Sequence, residues 1–420
     1  LVPLWWPPYL SNASLCRGVF FTFTVSMPQQ RIVFTEEFCQ PELLFPFTLC
    51  RSMQDIRVGM LTIREKWERM MRLPSVDKRQ NDYKDSECHV DFDGLKTGDS
   101  WWLLHGNILP TPALCKAIRS LQNGDCLLDK GGSALAYRIC KKQVISAHKV
   151  KMLRSISFDQ EIHSIVYPWD IVRLNAWALQ EDFKLLTARK KSSPVPKGTR
   201  VSGRGKLFIE KGASINVATI NTQDGPVYIA NKATVMEGAL LRGPLFIGEG
   251  ACVKMGARLY GATTIGPYCT VGGEIKNSVL QGYSNKAHDG YLGDAVIGTW
   301  CNLGAGTTNS NIKNTGAPVK VWTLQGEKEV GQKCGVMMGD YSQTAINTSI
   351  NTGTVIGVGC NVMGQGLTPA YIPCFSWGQE GIDRYQLPKL LEAIGRWKQF
   401  KGRSLSDFEE RIITTIYKKY

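Results

Sequence analysis

The sequence predicts an α/β head followed by a left-handed parallel β-helix that ends in C-terminal helices. Three observations carry that prediction. Between Ile229 and Val271 an aliphatic residue returns at every sixth position: Ile229, Val235, Leu241, Ile247, Val253, Leu259, Ile265 and Val271. Ahead of that stretch, over 27–187, short strand-like and helical patches alternate, the pattern of an α/β layer. After Pro373 the pattern turns helical, with an amphipathic run from Leu387 to Phe400.

The six-residue beat decides the fold of the second half. A helix repeats at 3.6 and an exposed strand at 2. A strict beat of six means short strands joined by tight corners. Three sixes make one triangular coil, so Ile229, Ile247 and Ile265 stack directly. Small residues (Ala233, Ala239, Ala251 and Ala257) follow several of the beats by four places. Each coil exposes an apolar edge until a neighbour stacks on it. A β-sandwich would space its strands less regularly, at roughly 8–12 residues.

In chain order, residues 1–26 hold Trp5-Trp6, Pro7-Pro8 and an apolar run from Val19 to Val25. Only Arg17 precedes that run and no A-x-A site follows, so the segment reads as an extension ahead of a natural start at Met27. The head, 27–187, opens with the strand Arg31-Ile-Val-Phe34 and continues into a helix from Thr62 to Met71. Ser75 to Glu87 is a polar, exposed insertion, and a helix from Asn175 to Leu186 closes the head. A basic linker, 188–206, carries Arg189, Lys190, Lys191, Lys197, Arg200 and Arg204. The β-helix spans 207–372. Its beat lapses from Asn309 to Gln332, predicting a projecting loop, and returns at Thr344, Ile350, Ile356 and Val362. The segment 373–420 is helical; Ser406 caps its second helix while Glu409 reaches back. Helices placed there are expected to cover the open end of the β-helix.

Composition narrows the partners. With 43% hydrophobic and 20% charged residues, a chain of 420 residues builds a real core and two or three domains. No run of 18 apolar residues predicts a membrane span. The net charge is +14, but the basic linker has no interleaved aromatics, so phosphorylated small molecules fit better than nucleic acid. Thirteen cysteines without a C-x-x-C pair predict reduced thiols, a cytoplasmic location and no structural zinc.

Of five histidines (His89, His105, His148, His163 and His288), His288 alone falls in the repeat, where the beat breaks between Gly282 and Asp294. Acylation of an amine needs a base near neutral pH, and imidazole suits that. A histidine taken at random is more often a bystander. Here Arg258, Lys276, Lys286, Tyr291, Asn302 and Asn311 fall on neighbouring coils, suited to hold a sugar phosphate and orient an amide. A single histidine excludes the three-histidine zinc site of a γ-type carbonic anhydrase.

These residues resemble the acetyltransferase domain of the bifunctional glucosamine-1-phosphate N-acetyltransferase/N-acetylglucosamine-1-phosphate uridyltransferase family. The family's spacing of Arg, Lys, His and Tyr is matched by Arg258, Lys276, His288 and Tyr291. Its motifs are matched by Tyr291-Leu-Gly-Asp-Ala-Val-Ile-Gly298 and Asn302-Leu-Gly-Ala-Gly-Thr307, with Asn311 nine places after Asn302. The resemblance implies His288 as general base, Arg258 and Lys276 on phosphate, and Tyr291, Asn302 and Asn311 in the substrate site. It also implies acetyl-CoA along Ala305 and a homotrimer. The family tyrosine after the second asparagine is Ile312 here.

The rest of the chain is similar to a short-headed branch of sugar nucleotidyltransferases with the same two-domain plan. The marks are Thr48-x-x-Arg51, Asp55-Ile-Arg57-Val-Gly59, Leu61-Thr-Ile-Arg-Glu-Lys-Trp67 and Pro168-Trp-Asp170 with Asn175. This implies a nucleotidyltransferase-like head binding UTP and a sugar 1-phosphate, with Arg51 and Arg57 near the nucleotide and Asp170 and Asn175 as ligands for Mg²⁺. Residues 31–51 lack the glycine-rich turn usual for such heads, and Asn107-Ile-Leu-Pro110 stands where an acidic metal ligand is expected. Two alternatives to a bifunctional transferase therefore stand: an acetyltransferase, or a trimeric sugar-nucleotide-binding scaffold, each with a degenerate head.

Overall fold

The computed structural model describes residues 30–36, 39–76, 95–146 and 149–420. The expected extension 1–26 and most of the polar insertion lie outside the described residues, as do His89 and His148.

The head is a mixed five-stranded sheet in the order Gln30–Thr35, Ser100–His105, Ala134–Ile139, Asp125–Leu128, Arg154–Ser157. The first two strands are parallel, and Ala134–Ile139 runs antiparallel to both of its neighbours. Three helices accompany it: α1 (Ile63–Met71), α2 (Pro112–Ser120) and α3 (Pro168–Thr187). Each starts where its sequence dictates. Thr62 and Glu65 close a capping box on α1, Thr111 caps α2 ahead of Pro112, and Pro168 opens α3.

His105, at the end of its strand, is 5% exposed, and burial pushes its imidazole down to about 4. The unfolded chain then binds a proton that the folded one refuses. Stability from this residue is full above about pH 6.5 and lost as pH falls towards 4, by about 3 kcal/mol. Denaturant midpoints at pH 7 and pH 4.5 are expected to differ less in His105→Gln than in the unmodified protein.

The second half is a left-handed parallel β-helix of about 10 turns. Three sheets form its walls. The first has six strands, from Arg200–Ser202 to Tyr291–Gly293. The second has nine, from Leu207–Ile209 to Tyr371–Ile372. The third runs from Ser214–Ile215 to Ser376–Trp377 and adds Asp383–Arg384 antiparallel. Ile229, Ile247 and Ile265 pair directly, and all eight beat residues are at most 2% exposed. At about 1.5–3 kcal/mol per buried aliphatic side chain, this column is a main source of stability.

One corner of the β-helix carries an aromatic stack. Tyr268, Tyr283 and Trp300 take left-handed backbone conformations with φ of 56°, 56° and 60°. Their rings stack at 5.1 and 4.4 Å, which offsets part of a backbone cost of about 1–2 kcal/mol per residue. Helix α4 (Leu387–Gln399) runs back along this corner, with Lys398 Nζ 4.7 Å from the Trp300 ring centroid and Lys401 donating to the Tyr268 carbonyl. Helix α5 (Asp407–Lys419) begins at Ser406 with the expected capping box to Glu409. The terminal helices therefore flank the side of the solenoid, beyond the covering of its end that the sequence suggests.

The head lies against the second sheet. Leu179, Phe183 and Leu186 of α3, with Met60 and Leu61, pack on Phe208, Tyr228 and Phe246. The interruption between coils does not project freely. Lys320–Val321 and Lys328–Glu329 form a hairpin, and Val319, Val321 and Val330 join the head's own apolar core. Apolar residues at 319, 321 and 330 make that return favourable. The first sheet's outer face is left open, with Arg200, Leu240, Arg242 and Arg258 exposed.

Candidate active site

The break in the beat has a structural cause. Coils below it keep the full three-six repeat, as where Phe246 pairs with Thr264. The coil above is shorter: Thr264 pairs with Val279 and Val271 with Lys286. The next rung, Asn285 to Asn302, is close to full length again. The shortened coil leads into the turn 287–290, between the third sheet and the first, and this turn exposes His288.

The turn is held from below and above. Gly273, at φ +67°, lies so close beneath it that a Cβ there would meet the His288 carbonyl oxygen at 2.8 Å. Gly290, at φ +119°, lies beneath the next coil, where a Cβ would come within 2.1 Å of the Thr307 carbonyl oxygen. Only glycine fits these contacts and these φ values.

On one side of His288 lies a cleft of about 460 Å³. The third sheet supplies Thr270, Asn285, Asn302 and Leu303, and the corners that follow its strands add Lys254, Gly304, Ala305 and Ile346. Helix α4 closes it with Trp397. Asn285 Nδ2 donates to Asn302 Oδ1 at 3.3 Å, so the two amides form a short polar ladder along the wall. The cleft is apolar at Leu303, Ala305, Ile346 and Trp397 and polar along its asparagines. Such a surface suits a long ligand with alternating amide and methylene groups.

On the other side of His288, the first sheet presents a charged face. Arg258, Glu274 and Tyr291 are successive rungs of one column, and Tyr260 and Lys276 pair in the adjacent one. Sequence spacing alone would stack Arg258 on Lys276; the coil between them is short of full length, which puts Lys276 opposite Tyr260 instead. Glu274 organises the group: Tyr260 donates to its Oε1 at 2.6 Å, and Arg258 Nε lies 3.6 Å from its Oε2. Lys276 Nζ sits 5.6 Å from the Tyr260 ring centroid. Asn311 Nδ2 donates to the Tyr291 hydroxyl at 3.2 Å and also to Asp294 Oδ2. Asp294 Oδ1 accepts from Asn277, so this carboxylate holds two amides in place. Burial, then the carboxylates of Asp294 and Glu274, push the Tyr291 hydroxyl up, so it stays a neutral donor. Ile312, next to Asn311, is 44% exposed.

The predicted site residues thus fall into two sets that meet at His288. Asn302 and Ala305 share its cleft; Arg258, Lys276, Tyr291 and Asn311 share the adjoining face. Sequence reading missed Trp397, Ile346 and Lys254. Trp397 is one of several apolar positions on an amphipathic helix, and only the docking of α4 selects it.

The residues expected to serve the head are committed elsewhere. Arg51 Nη2 binds Asp340 Oδ2 and donates to Thr299 Oγ1 at 3.0 Å, both in the β-helix. Arg57 donates through its backbone N–H to Gln281 Oε1 at 2.7 Å and through Nε to the Gln281 carbonyl at 3.3 Å. Asn175 is fully buried: its Oδ1 accepts from Gly59 N–H at 2.7 Å and Thr264 Oγ1 at 3.0 Å, and its Nδ2 donates to the Ala262 carbonyl at 2.6 Å. Asp170 Oδ2 accepts from the N–H groups of Val166 and Tyr167 at 2.9 and 2.8 Å, capping α3. Asn175 therefore does not fit a Mg²⁺ site, because both ends of its buried amide are satisfied by the fold, whereas Asp170 commits Oδ2 to the start of α3 and keeps Oδ1 3.5 Å from Arg173 Nη1. Among the described residues no group of three histidines, cysteines or carboxylates gathers to hold a metal.

Comparison with known proteins places these observations. Residues 32–191 match the model of the sugar nucleotidyl transferase family. The chain is 36% identical over 87 residues to the bifunctional protein GlmU of Methanocaldococcus jannaschii, covering 21% of each chain. It is 28% identical over 212 residues to the bifunctional sugar-1-phosphate nucleotidylyltransferase/acetyltransferase of Sulfurisphaera tokodaii, covering 50% of this chain and 46% of that one. The chain thus spans from about a fifth to just under half the length of these curated relatives. Among solved structures, the polysialic acid O-acetyltransferase OatWY aligns with a TM-score of 0.26 and 16% identity, over 41% of this chain and 81% of that one, a likeness too weak to bear on function. Through residues 32–191, less than half of its length, the chain is similar to the sugar nucleotidyl transferases.

Proposed function

We propose that the β-helix transfers acetyl from acetyl-CoA to the amine of glucosamine 1-phosphate, and that the head transfers uridylyl from UTP to the product, giving UDP-N-acetylglucosamine. The observation that carries the first step is the position of His288, on the turn between a cleft lined by Asn285 and Asn302 and a face of Arg258, Lys276, Tyr291 and Asn311. The pantetheine arm lies along the cleft, with its amides on the Asn285–Asn302 ladder and the thioester near Ala305. The sugar phosphate lies on the charged face, its phosphate on Arg258 and Lys276. The amine nitrogen attacks the thioester carbonyl, His288 takes the proton the nitrogen sheds, and the C–S bond breaks to release CoA.

In the second step an oxygen of the sugar phosphate attacks the α-phosphorus of UTP and pyrophosphate leaves. No described residue of the head is assigned to this step. The bare outer face of the first sheet is where neighbouring copies of a homotrimer would lie, and a cytoplasmic location belongs to the same reading. No helix among the described residues is long and apolar enough to cross a membrane.

A second reading is favoured by one set of contacts. Arg51, Arg57 and Asn175 are tied up in hydrogen bonds of the joint, and Asp170 Oδ2 caps α3, as in a head that serves as a docking body for an acetyltransferase. Two assays separate the readings: thiol release from acetyl-CoA with glucosamine 1-phosphate, and pyrophosphate release from UTP with N-acetylglucosamine 1-phosphate and Mg²⁺. Both signals support the bifunctional transferase. Thiol alone supports the docking head, and silence in both removes the proposal.

A further inference from the structure

The interior of the β-helix holds one side chain that its column does not call for. Along the third sheet the inward positions run Ile215, Val235, Val253, Val271 and then Lys286, with Leu303 in the coil above. Lys286 is 1% exposed. A methionine of similar length would fill this rung without taking an ammonium out of water, a transfer that costs several kcal/mol unless the charge finds partners. The partners it has are two backbone carbonyls. Nζ donates to the oxygen of His288 and, at 3.1 Å, to that of Asp289. Burial pushes the ammonium down to about 8, with the Asp289 carboxylate opposing.

We infer that Lys286 is a positioning residue for His288, holding from inside the β-helix the two carbonyls that fix the turn on which the imidazole is presented. The inference rests on His288 being the base of the proposed acetyl transfer. The geometry is a three-sided clamp. Lys286 holds the 288 and 289 carbonyls from within, Gly273 backs the His288 carbonyl from the coil below, and Gly290 lies under Thr307 above. An isolated short turn exposes its carbonyls to water and moves freely. With its carbonyls held, this one keeps a fixed path, and the imidazole on it stays at the junction of cleft and face. Displacement of a reacting group by about 1 Å is enough to cost up to ~10²-fold in rate.

The test uses the full chain with three substitutions, Lys286→Met, Lys286→Gln and His288→Ala, each assayed for acetyl transfer to glucosamine 1-phosphate and for its denaturant midpoint. In Lys286→Met, kcat is expected to fall about 10- to 100-fold, with KM for both substrates within about twofold and the midpoint no lower. A residue that only supported the fold would lower the midpoint and leave kcat of the folded fraction unchanged. A kcat within twofold of the unmodified enzyme overturns the inference. So does a rise in acceptor KM at constant kcat, which would make Lys286 a substrate contact. Should the Met variant not fold, Lys286→Gln decides, because its amide ends one atom short of both carbonyls. It is expected to lose at least about fivefold in kcat at unchanged KM, and wild-type kcat in it overturns the inference. Transfer that is lost in His288→Ala and kept in Lys286→Met removes Lys286 alone. An unmodified protein that transfers no acetyl group removes the proposed function and this inference with it.

Discussion

His288→Ala is expected to lower acetyl transfer by roughly 10²–10⁴-fold, the usual contribution of a positioned general base, while leaving the fold intact. The side chain is exposed on a turn, and nothing in the core depends on it. The interior contact at this turn, Lys286 Nζ on the His288 carbonyl, is made to the backbone and survives the substitution, so the denaturant midpoint is expected to stay within about 0.5 kcal/mol of the unmodified protein. The decisive quantity is kcat, measured by free thiol release, with KM for each substrate alongside. Loss in kcat with KM unchanged identifies an interaction made in the transition state. A rise in KM for the sugar phosphate alone would instead place His288 among the binding groups of the charged face. Wild-type kcat in this variant would remove the site.

The different fates of the sequence predictions have physical causes. The β-helix was legible because its interior accepts one aliphatic side chain per strand at a fixed step. That constraint is local, so every beat position from Ile229 to Val271 reports it directly. His288 was legible because it breaks the same pattern: a shortened coil must turn early, and the turn lies outside the packed column. The pairing of Lys276 with Tyr260 rather than Arg258 was not legible, because counting in three sixes assumes that every coil is full length. Trp397 was hidden for another reason. Amphipathicity says which face of α4 is apolar, but the wall it meets is set by the aromatic corner of Tyr268, Tyr283 and Trp300, far earlier in the chain.

Motif likeness discriminates least in the head. Arg51, Arg57, Asp170 and Asn175 match a pattern by identity and spacing, yet a motif is equally well kept by a joint as by a nucleotide site. Asn175 makes the point. It sits in the middle of α3, at a position that faces the β-helix, and its amide satisfies a head N–H and a β-helix carbonyl and hydroxyl at once. The residue type that suits a metal ligand, a short side chain with an oxygen, also suits a buried hydrogen-bonded bridge.

Removal of one partner from the Arg51–Asp340 pair should have the largest effect on stability. The Asp340 side chain is 1% exposed and that of Arg51 12%. Asp340 Oδ1 also accepts from Thr299 N–H at 2.7 Å, and Arg51 donates to Thr299 Oγ1, so three groups from two domains satisfy one another. Asp340→Ala leaves a guanidinium in a nearly dry joint and an amide without its acceptor. The cost is expected to be about 3–5 kcal/mol, read as a fall in the denaturant midpoint. Arg51→Met in turn strands the Asp340 carboxylate, which keeps the Thr299 amide but loses its counter-charge, and is expected to lower the midpoint by a similar amount. The same variant separates the two readings of Arg51. A residue of the joint lowers the midpoint and leaves uridylyl transfer by the folded protein unchanged. A residue on the triphosphate does the reverse, losing pyrophosphate release at an unaltered midpoint. The ion pair and its shared threonine favour the first result, in which the head is fastened to the β-helix through a side chain that its family likeness would assign to the nucleotide.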